Sequence, residues 1–165
     1  MNATQEVVKV GIADMKIAKG GQSIRTSGLG SCVGVVVYDD GISIAGMVHI
    51  MLPSSSIAKG SNFKLAKFAD TGIGELVRTL TLHGGRLGRF KAKIAGGAQM
   101  FQLSSGSDLM RIGPRNVEAV KQALSSLAIP LIAEDTGGNN GRTIEFHMDN
   151  SLLNVRTVNL GVKDI

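Results

Sequence analysis

Two apolar segments joined by a tight turn, between residues 33 and 52, constrain the fold of this chain more than any other feature. The first segment, 33–38, is rich in valine, and an Asp-Asp-Gly turn at 39–41 leads into the second, 42–52. Valine-rich runs of this length are typical of buried strands, and Asp-Gly is a common hairpin turn. Because the odd and even positions of the second segment are both mostly apolar, we expect both faces of this strand to be covered by other layers.

Further strands are predicted on both sides of this hairpin. Short apolar or alternating runs, bounded by turn residues, place them at 7–12, 22–26, 90–94, 131–134, 143–148 and 152–158. A cluster of Gly and Asn at 137–141 marks a turn between two of them. These strands would supply neighbours for the hairpin within a sheet.

Two helices are predicted to supply a covering layer. Apolar residues at helical spacing predict the first over 63–82, ended by the His-Gly-Gly sequence at 83–85. The second is predicted to start at Pro114 and to end before Pro130, with a buried stripe at Val117, Val120, Leu124 and Leu127. We therefore predict an α/β fold, a layered sandwich of mixed or antiparallel β-sheet with two main helices. A chain of 165 residues suits one domain, 1–165.

The composition argues against several classes of function. The chain has no tryptophan and one tyrosine, so no aromatic platform for stacking nucleic-acid bases is visible. Its net charge of +5 comes from scattered Lys and Arg, which favours acidic partners mildly and nucleic acid less. The N-terminus lacks the pattern of a signal peptide, and no apolar stretch approaches the length of a membrane span. We expect a cytoplasmic protein without membrane insertion.

The only cysteine, Cys32, follows a glycine-rich turn and directly precedes the buried strand. A single cysteine excludes an intrachain disulfide and fits a reducing compartment. Glycines let the backbone turn tightly, and N–H groups in such a turn can converge on the oxyanion of a tetrahedral intermediate. Ser27, Gly30 and Ser31 are therefore candidates for oxyanion binding or substrate positioning beside a Cys32 nucleophile.

His49 lies 17 residues after Cys32, across the predicted hairpin. Antiparallel pairing at about 5 Å brings the start of the first strand opposite the end of the second, so the two residues should be close neighbours. A neighbouring imidazolium lowers the pKa of a thiol and stores the proton that a leaving group later needs. Cys32 and His49 are thus the candidate nucleophile and base.

Structural roles stay open at this point. A lone cysteine is often a small buried hydrophobe, and a lone histidine is often a hydrogen-bonded core residue. We interpret His83, at a predicted helix end, as structural and His147 as facing solvent. Three other turns, at 96–98, 113–116 and 137–138, are candidates for packing around a site, although we interpret them as structural turns. One cysteine without a matching Cys or His cluster does not indicate a zinc site.

Several short segments occur in a characteristic order. They are GLGSCV at 28–33, HIMLP at 49–53, KFADT at 67–71, AKIAGGA at 92–98, MF at 100–101, IG at 112–113, RN at 115–116, DTGG at 135–138 and GR at 141–142. Each segment alone is weak evidence. In this order, over about residues 10–158, they resemble the chemoreceptor glutamine deamidase family CheD.

The resemblance implies a compact layered α/β sandwich that hydrolyses the side-chain amide of glutamines on methyl-accepting chemotaxis receptors, giving glutamate with no cofactor or metal. It implies that Cys32 is the nucleophile, His49 the base and Thr26 the third residue. By the logic of a catalytic triad, Thr26 would hold the imidazole in a productive tautomer through its hydroxyl or its backbone carbonyl. Ser27 stands where the family commonly has leucine, a departure that concerns substrate preference.

Other function classes follow from the same comparison. In some members of the family a CheC-type CheY-phosphate phosphatase is a partner, so the chain could act as a binding module that regulates this phosphatase, with catalysis secondary or absent. The intact pair of Cys32 and His49 argues against a purely non-catalytic role. A thiol redox sensor is a third class, which the lack of a second cysteine disfavours.

Overall fold

A computed structural model of the chain describes residues 6–58, 60, 62–100 and 111–165. Its strands are β1 (Glu6–Val10), β2 (Met15–Lys19), β3 (Gln22–Leu29), β4 (Val33–Asp39), β5 (Ile44–Ile50), β6 (Lys91–Gly96), β7 (Leu131–Thr136), β8 (Arg142–His147), β9 (Leu152–Thr157) and β10 (Gly161–Asp164). Its α-helices are α1 (Ala69–Leu82) and α2 (Ile112–Ser126), with short 3-10 turns at Ser55–Ile57, Leu65–Lys67 and Leu87–Arg89. Within these ranges no helix is long and apolar enough to cross a membrane.

The strands form two five-stranded mixed sheets. The first has the order β1-β3-β8-β9-β10 and the second the order β2-β5-β4-β6-β7. The pairs β1–β3 and β6–β7 are parallel, and the others are antiparallel. Both helices pack on the second sheet. The layers therefore run first sheet, second sheet, helices, which confirms the predicted α/β layered sandwich with two main helices.

The hairpin of β4 and β5 lies at the centre of the second sheet, and all fourteen of its residues are buried. Val33, Val35 and Val37 face the helices in one apolar cluster, whereas Val36 and Met47 face the first sheet in another. The prediction that both faces are covered is confirmed. Each fully buried side chain of this size stabilises the fold by about 1.5–3 kcal/mol, so the hairpin is the core of the molecule.

The first helix begins six residues later than its apolar spacing predicts. Met51 and Leu52 donate their N–H groups to the carbonyl of Lys67 at 2.9 and 3.1 Å, and Ala69 donates to the carbonyl of Leu52 at 3.0 Å. The residue before the helix, Phe68, is consequently extended (φ −114°, ψ 143°). Backbone groups that pair with the chain after β5 cannot close helical turns, so the prediction of a helix from residue 63 is wrong.

The second helix begins before Pro114, so the predicted turn at 113–116 is its first turn. Its buried residues are Gly113, Asn116, Val120 and Leu124. The predicted stripe therefore holds at Val120 and Leu124 but includes a polar side chain, Asn116, near the start of the helix. Strands β2 and β10 were not predicted, because they are short, partly charged segments at or next to sheet edges.

Gly34 lets the two sheets approach each other closely. A Cβ at this position would lie 2.6 Å from Cδ1 of Ile144 and 3.3 Å from Cδ1 of Leu29, both on the first sheet. Such distances are shorter than van der Waals contact, so any side chain here would push the sheets apart. This close approach is what brings side chains of β3 against the hairpin.

We predict that Gly34→Ala destabilises the fold by about 1–3 kcal/mol, the usual effect of overpacking a core. The matched control is Gly74→Ala in α1, where an added Cβ meets nothing within 4 Å. That change should stabilise the helix by up to about 1 kcal/mol. The midpoint of urea unfolding measures both, and a Gly34→Ala chain as stable as wild type would contradict the close packing of the sheets.

Candidate active site

The site is built where β3 leaves the first sheet and the chain crosses to β4 on the second. The pairing of β3 with β8 contains a β-bulge between Thr26 and Leu29. Thr26 pairs with Ile144 and Leu29 pairs with Arg142, so β3 advances three residues where β8 advances two. Gly28, in this bulge, has a φ of +74°, which glycine adopts without strain. The bulge bends the chain away from β8 and directs residues 30–32 towards the hairpin.

Cys32 is the last residue before β4 and is partly buried. Its side chain packs against the cluster between the two sheets, the face to which His49 also points. Burial raises the pKa of its thiol, and the backbone N–H of Cys32 itself lowers that pKa by less. Within the described ranges neither Ser31 nor Cys32 donates its N–H to a backbone carbonyl.

His49 is held at the end of β5, fully buried and directly opposite Gly34. Its N–H donates to the carbonyl of Asp14 at 3.1 Å, and its carbonyl accepts from the N–H of Ala13 at 3.2 Å. Because Cys32 stands two residues before Gly34, Cys32 and His49 are diagonal neighbours on one face of the hairpin, a separation that side chains can bridge. The predicted hairpin geometry is confirmed in this respect.

Thr26 bonds to the ring of His49 and fixes its tautomer. Its hydroxyl donates to the carbonyl of Val10 at 2.7 Å, and its oxygen lies 2.8 Å from Nδ1 of His49. Since the single hydroxyl hydrogen is already used, the oxygen must accept a hydrogen from Nδ1. The proton of a neutral ring is therefore on Nδ1, and Nε2 carries a free lone pair. The hydroxyl, rather than the backbone carbonyl, of Thr26 makes this contact.

Burial favours the neutral form of both the Cys32 thiol and the His49 imidazole. Burial lowers the pKa of His49 while it raises that of Cys32, so each shift favours the uncharged form. Nε2 is buried and has no hydrogen-bond partner among the described residues, which means that the thiol is not yet bonded to it. Burial thus acts on the Cys32 thiol in the direction opposite to the pKa lowering that a neighbouring imidazolium would cause. Contacts between a nucleophile and its base often tighten only when substrate binds.

Two of the three candidate turns, at 96–98 and 113–116, bond to the loop 30–32 that carries Cys32, and the third, at 137–138, bonds to the first of them. Gly97 and Ala98 donate their N–H groups to the carbonyls of Cys32 and Gly30 at 2.9 and 2.8 Å. Gly137 in turn donates to the carbonyl of Gly96 at 3.0 Å. The amides at 97 and 98 are thus used to hold the loop and are not directed at a phosphate.

The remaining candidates occupy different places. Ser27 is exposed, so it can contact a substrate and does not enter the core, whereas Gly30 is partly buried against the side chain of Met100. His83 caps α1, with Nδ1 2.9 Å from the carbonyl of Thr79, as a structural role requires. Phe101, in one of the characteristic segments, lies outside the described residues. Among those described, no three His, Cys, Asp or Glu side chains gather into a group that could hold a metal ion.

Asn116 belongs to the candidate turn at 113–116, but sequence reasoning did not single it out as a site residue. It is fully buried, and its Nδ2 donates to the carbonyls of Ser31 and Met51 at 3.0 and 2.9 Å. A signal was present in the sequence. Stepping back from Leu124 and Val120 at helical spacing reaches Asn116 and then Gly113, so a polar residue stood in the buried stripe.

Comparison with known proteins shows that this chain is similar to the members of one family. A family model described as CheD chemotactic sensory transduction matches residues 51–157, more than half of the chain. A protein of Halalkalibacterium halodurans, named chemoreceptor glutamine deamidase CheD, is 54% identical over 160 residues, covering 97% of this chain and 99% of that protein. The protein of the same name from Bacillus subtilis is 52% identical over 166 residues, covering 100% of both chains. One from Oceanobacillus iheyensis, named a probable deamidase of this kind, is 58% identical over 153 residues, covering 93% and 92%.

The neutral resting state predicts the pH dependence of thiol alkylation. Because the pKa of Cys32 is raised, the rate with iodoacetamide should keep increasing with pH beyond the ordinary thiol value of about 8.5. The only cysteine reports this rate without interference. The same chain unfolded in urea is the control and should reach its plateau at lower pH. A plateau below pH 7 in the folded chain would instead show a thiolate–imidazolium pair.

Proposed function

This chain belongs to the CheD family, and we propose that it deamidates chemoreceptor glutamines through a thioester on Cys32. The observation that carries the proposal is the arrangement at the end of the hairpin. Thr26 holds His49 with Nε2 unprotonated, on the face of the sheet to which Cys32 also points. A base fixed in one tautomer beside a lone thiol is the arrangement that nucleophilic attack by cysteine requires.

The first half of the reaction forms the thioester. As the sulfur attacks the carboxamide carbon of glutamine, the thiol proton moves to Nε2 of His49, because the resting thiol is neutral. Negative charge develops on the carbonyl oxygen, and the N–H of Cys32 is the donor that we assign to stabilise it. Donors of this kind are worth about 3–4 kcal/mol each. The imidazolium then gives its proton to the leaving nitrogen, and ammonia departs.

The second half consumes one water. His49 takes a proton from water as its oxygen attacks the thioester carbon, and the tetrahedral intermediate collapses to a carboxylic acid and the thiol of Cys32. The net change replaces NH₂ by OH on the glutamine side chain. The resulting glutamate carries one negative charge on the receptor helix and provides a site for methylation.

Location and partners follow from the same family membership. We place the reaction in the cytoplasm, where a reducing environment keeps the Cys32 thiol free. We also propose a CheC-type phosphatase as a binding partner. A pull-down of the phosphatase, scored separately from ammonia release, tests this. Binding of phosphatase by a wild-type chain that releases no ammonia from receptors would favour the regulatory module over the deamidase.

The catalytic assignment predicts three graded losses. Cys32→Ala should abolish deamidation, and His49→Ala should lower the rate by about 10²–10⁴-fold, the range for a general base. Thr26→Val should lower it less, by about 10–100-fold, as for partners that fix a histidine tautomer elsewhere. The measurements are ammonia release from a receptor fragment and a gain of about 1 Da at single glutamines, the mass difference between NH₂ and OH.

His83→Ala is the matched control for His49→Ala, because it removes a histidine at a helix end on the exposed surface. It should leave the rate unchanged. Wild-type activity in Cys32→Ala or His49→Ala would overturn the assignment. A Thr26→Val chain with the wild-type rate would remove Thr26 from the site and leave the other two in place.

A further inference from the structure

We propose that Asn116 is a positioning residue that aims the backbone N–H of Cys32 at the oxyanion and holds Cys32 in place relative to His49. The inference rests on the proposed deamidase chemistry at Cys32. Asn116 does not touch the reacting atoms. It acts through two backbone carbonyls, one beside the nucleophile and one beside the base.

The orientation of the Asn116 amide follows from its partners. Both of them are carbonyl oxygens, of Ser31 at 3.0 Å and of Met51 at 2.9 Å, so the NH₂ end must face them. The other end, Oδ1, is buried and has no donor among the described residues. A buried acceptor without a donor destabilises a fold, so packing alone does not explain asparagine at this position.

The bond to Ser31 fixes one peptide plane. The carbonyl of Ser31 and the N–H of Cys32 belong to the same planar trans peptide and point in opposite directions. Holding the carbonyl towards Asn116 therefore points the N–H away from it. That N–H donates to no backbone carbonyl in the described part of the chain and lies beside the thiol of Cys32, whose pKa it lowers. Without Asn116, this peptide could rotate and turn the donor away from the oxyanion.

The next peptide plane is fixed independently. The carbonyl of Cys32 accepts from the N–H of Gly97 at 2.9 Å, and a Cβ on Gly96 would lie only 2.2 Å from that carbonyl oxygen. Both peptides that flank the nucleophile are thus held by hydrogen bonds from other parts of the chain. Asn116 is the only side chain that contributes to this restraint among the hydrogen bonds described.

The bond to Met51 connects the same side chain to the strand of the base. Met51 follows His49 by two residues, and its N–H is already bonded to the carbonyl of Lys67 at 2.9 Å. Asn116 therefore links the loop that carries Cys32 to the strand end that carries His49. The distance between thiol and imidazole depends on this link as well as on the hairpin.

Gly113 allows α2 to bring Asn116 this close. A Cβ at residue 113 would lie 2.4 Å from the carbonyl oxygen of Ala98 and 2.6 Å from that of Gly97. The first turn of the helix thus packs directly against residues 97 and 98, whose N–H groups are hydrogen-bonded to the carbonyls of Cys32 and Gly30. Asn116, one turn further along, reaches both carbonyls from there.

The test compares two reactions of the same cysteine. Deamidation passes through an oxyanion, whereas alkylation by iodoacetamide is a displacement at carbon and forms none. Asn116→Ala should lower kcat for a receptor fragment by about 10²-fold, the size of losing one oxyanion donor, with KM changed little. The alkylation rate at the alkaline limit of its pH profile, where the thiol is fully ionised, should stay within about threefold of wild type.

Two further variants keep the test decisive if Asn116→Ala does not fold. Asn116→Asp is nearly isosteric, but its carboxylate cannot donate to either carbonyl, so it should lose at least as much kcat. Asn116→Ser keeps one donor and should fall between alanine and wild type. Thermal unfolding identifies which variants are folded under the assay conditions, and the kcat of each folded variant tests the proposed role of Asn116.

Leu124→Ala is the matched control on the same helix. Leu124 is buried eight residues from Asn116, about 12 Å along the helix axis, and its truncation should destabilise the fold without lowering kcat. Wild-type kcat in a folded Asn116→Ala chain, or an equal loss in both reactions, would overturn the inference and leave the proposed function intact. A wild-type chain that releases no ammonia would overturn the proposed function, and this inference with it.

Discussion

The close approach of the two sheets at Gly34 determines what the end of the hairpin can do. Since no side chain projects there, Ile144 and Thr26 of the first sheet reach the surface of β4, and a Cβ at Gly34 would lie 3.5 Å from the methyl carbon of Thr26. This places the Thr26 hydroxyl beside the ring of His49, on the neighbouring strand. The same approach excludes water from the ring. The close approach of the sheets thus accounts for both the tautomer of His49 and the lowering of its pKa by burial.

A buried neutral base suits this chemistry because charging the resting site would be costly. Taking two isolated charges out of water costs several kcal/mol each, which a single thiolate–imidazolium contact repays only with excellent geometry and further hydrogen bonds. His49 has one such bond, to Thr26, and its Nε2 has none among the described residues. In the mechanism that we propose, the proton therefore moves when the sulfur attacks, and charge exists only while the oxyanion and imidazolium are both present and attract each other.

Periodicity predicted those parts of the fold that a strand or helix determines by itself. The hairpin, its two apolar faces and the adjacency of Cys32 and His49 follow from the alternation of side chains along a strand. Thr26 could not be found in this way, because it lies on the other sheet and meets His49 only after the layers pack. The start of α1 was misplaced for the same reason, since the backbone around Lys67 pairs with the chain after β5. The spacing of apolar residues indicates which side chains are buried, but it does not indicate where the backbone groups form hydrogen bonds.

The role of Asn116 could not be predicted from periodicity either. Asn116 is 85 residues from Ser31 and 65 from Met51, and an asparagine in the first turns of a helix usually indicates exposure. Its two bonds exist only when the helical layer is docked on the second sheet, through the cluster that includes Val120 and Leu124. Each layer then supplies one restraint on the site. The first sheet fixes the tautomer of His49, and the second carries His49 and, directly before its central strand, Cys32. The helical layer holds the peptide that precedes Cys32 through Asn116. If any layer were detached, Cys32 and His49 would still be near each other but would lack the groups that orient them. The proposed chemistry therefore depends on the whole fold, although it uses few side chains.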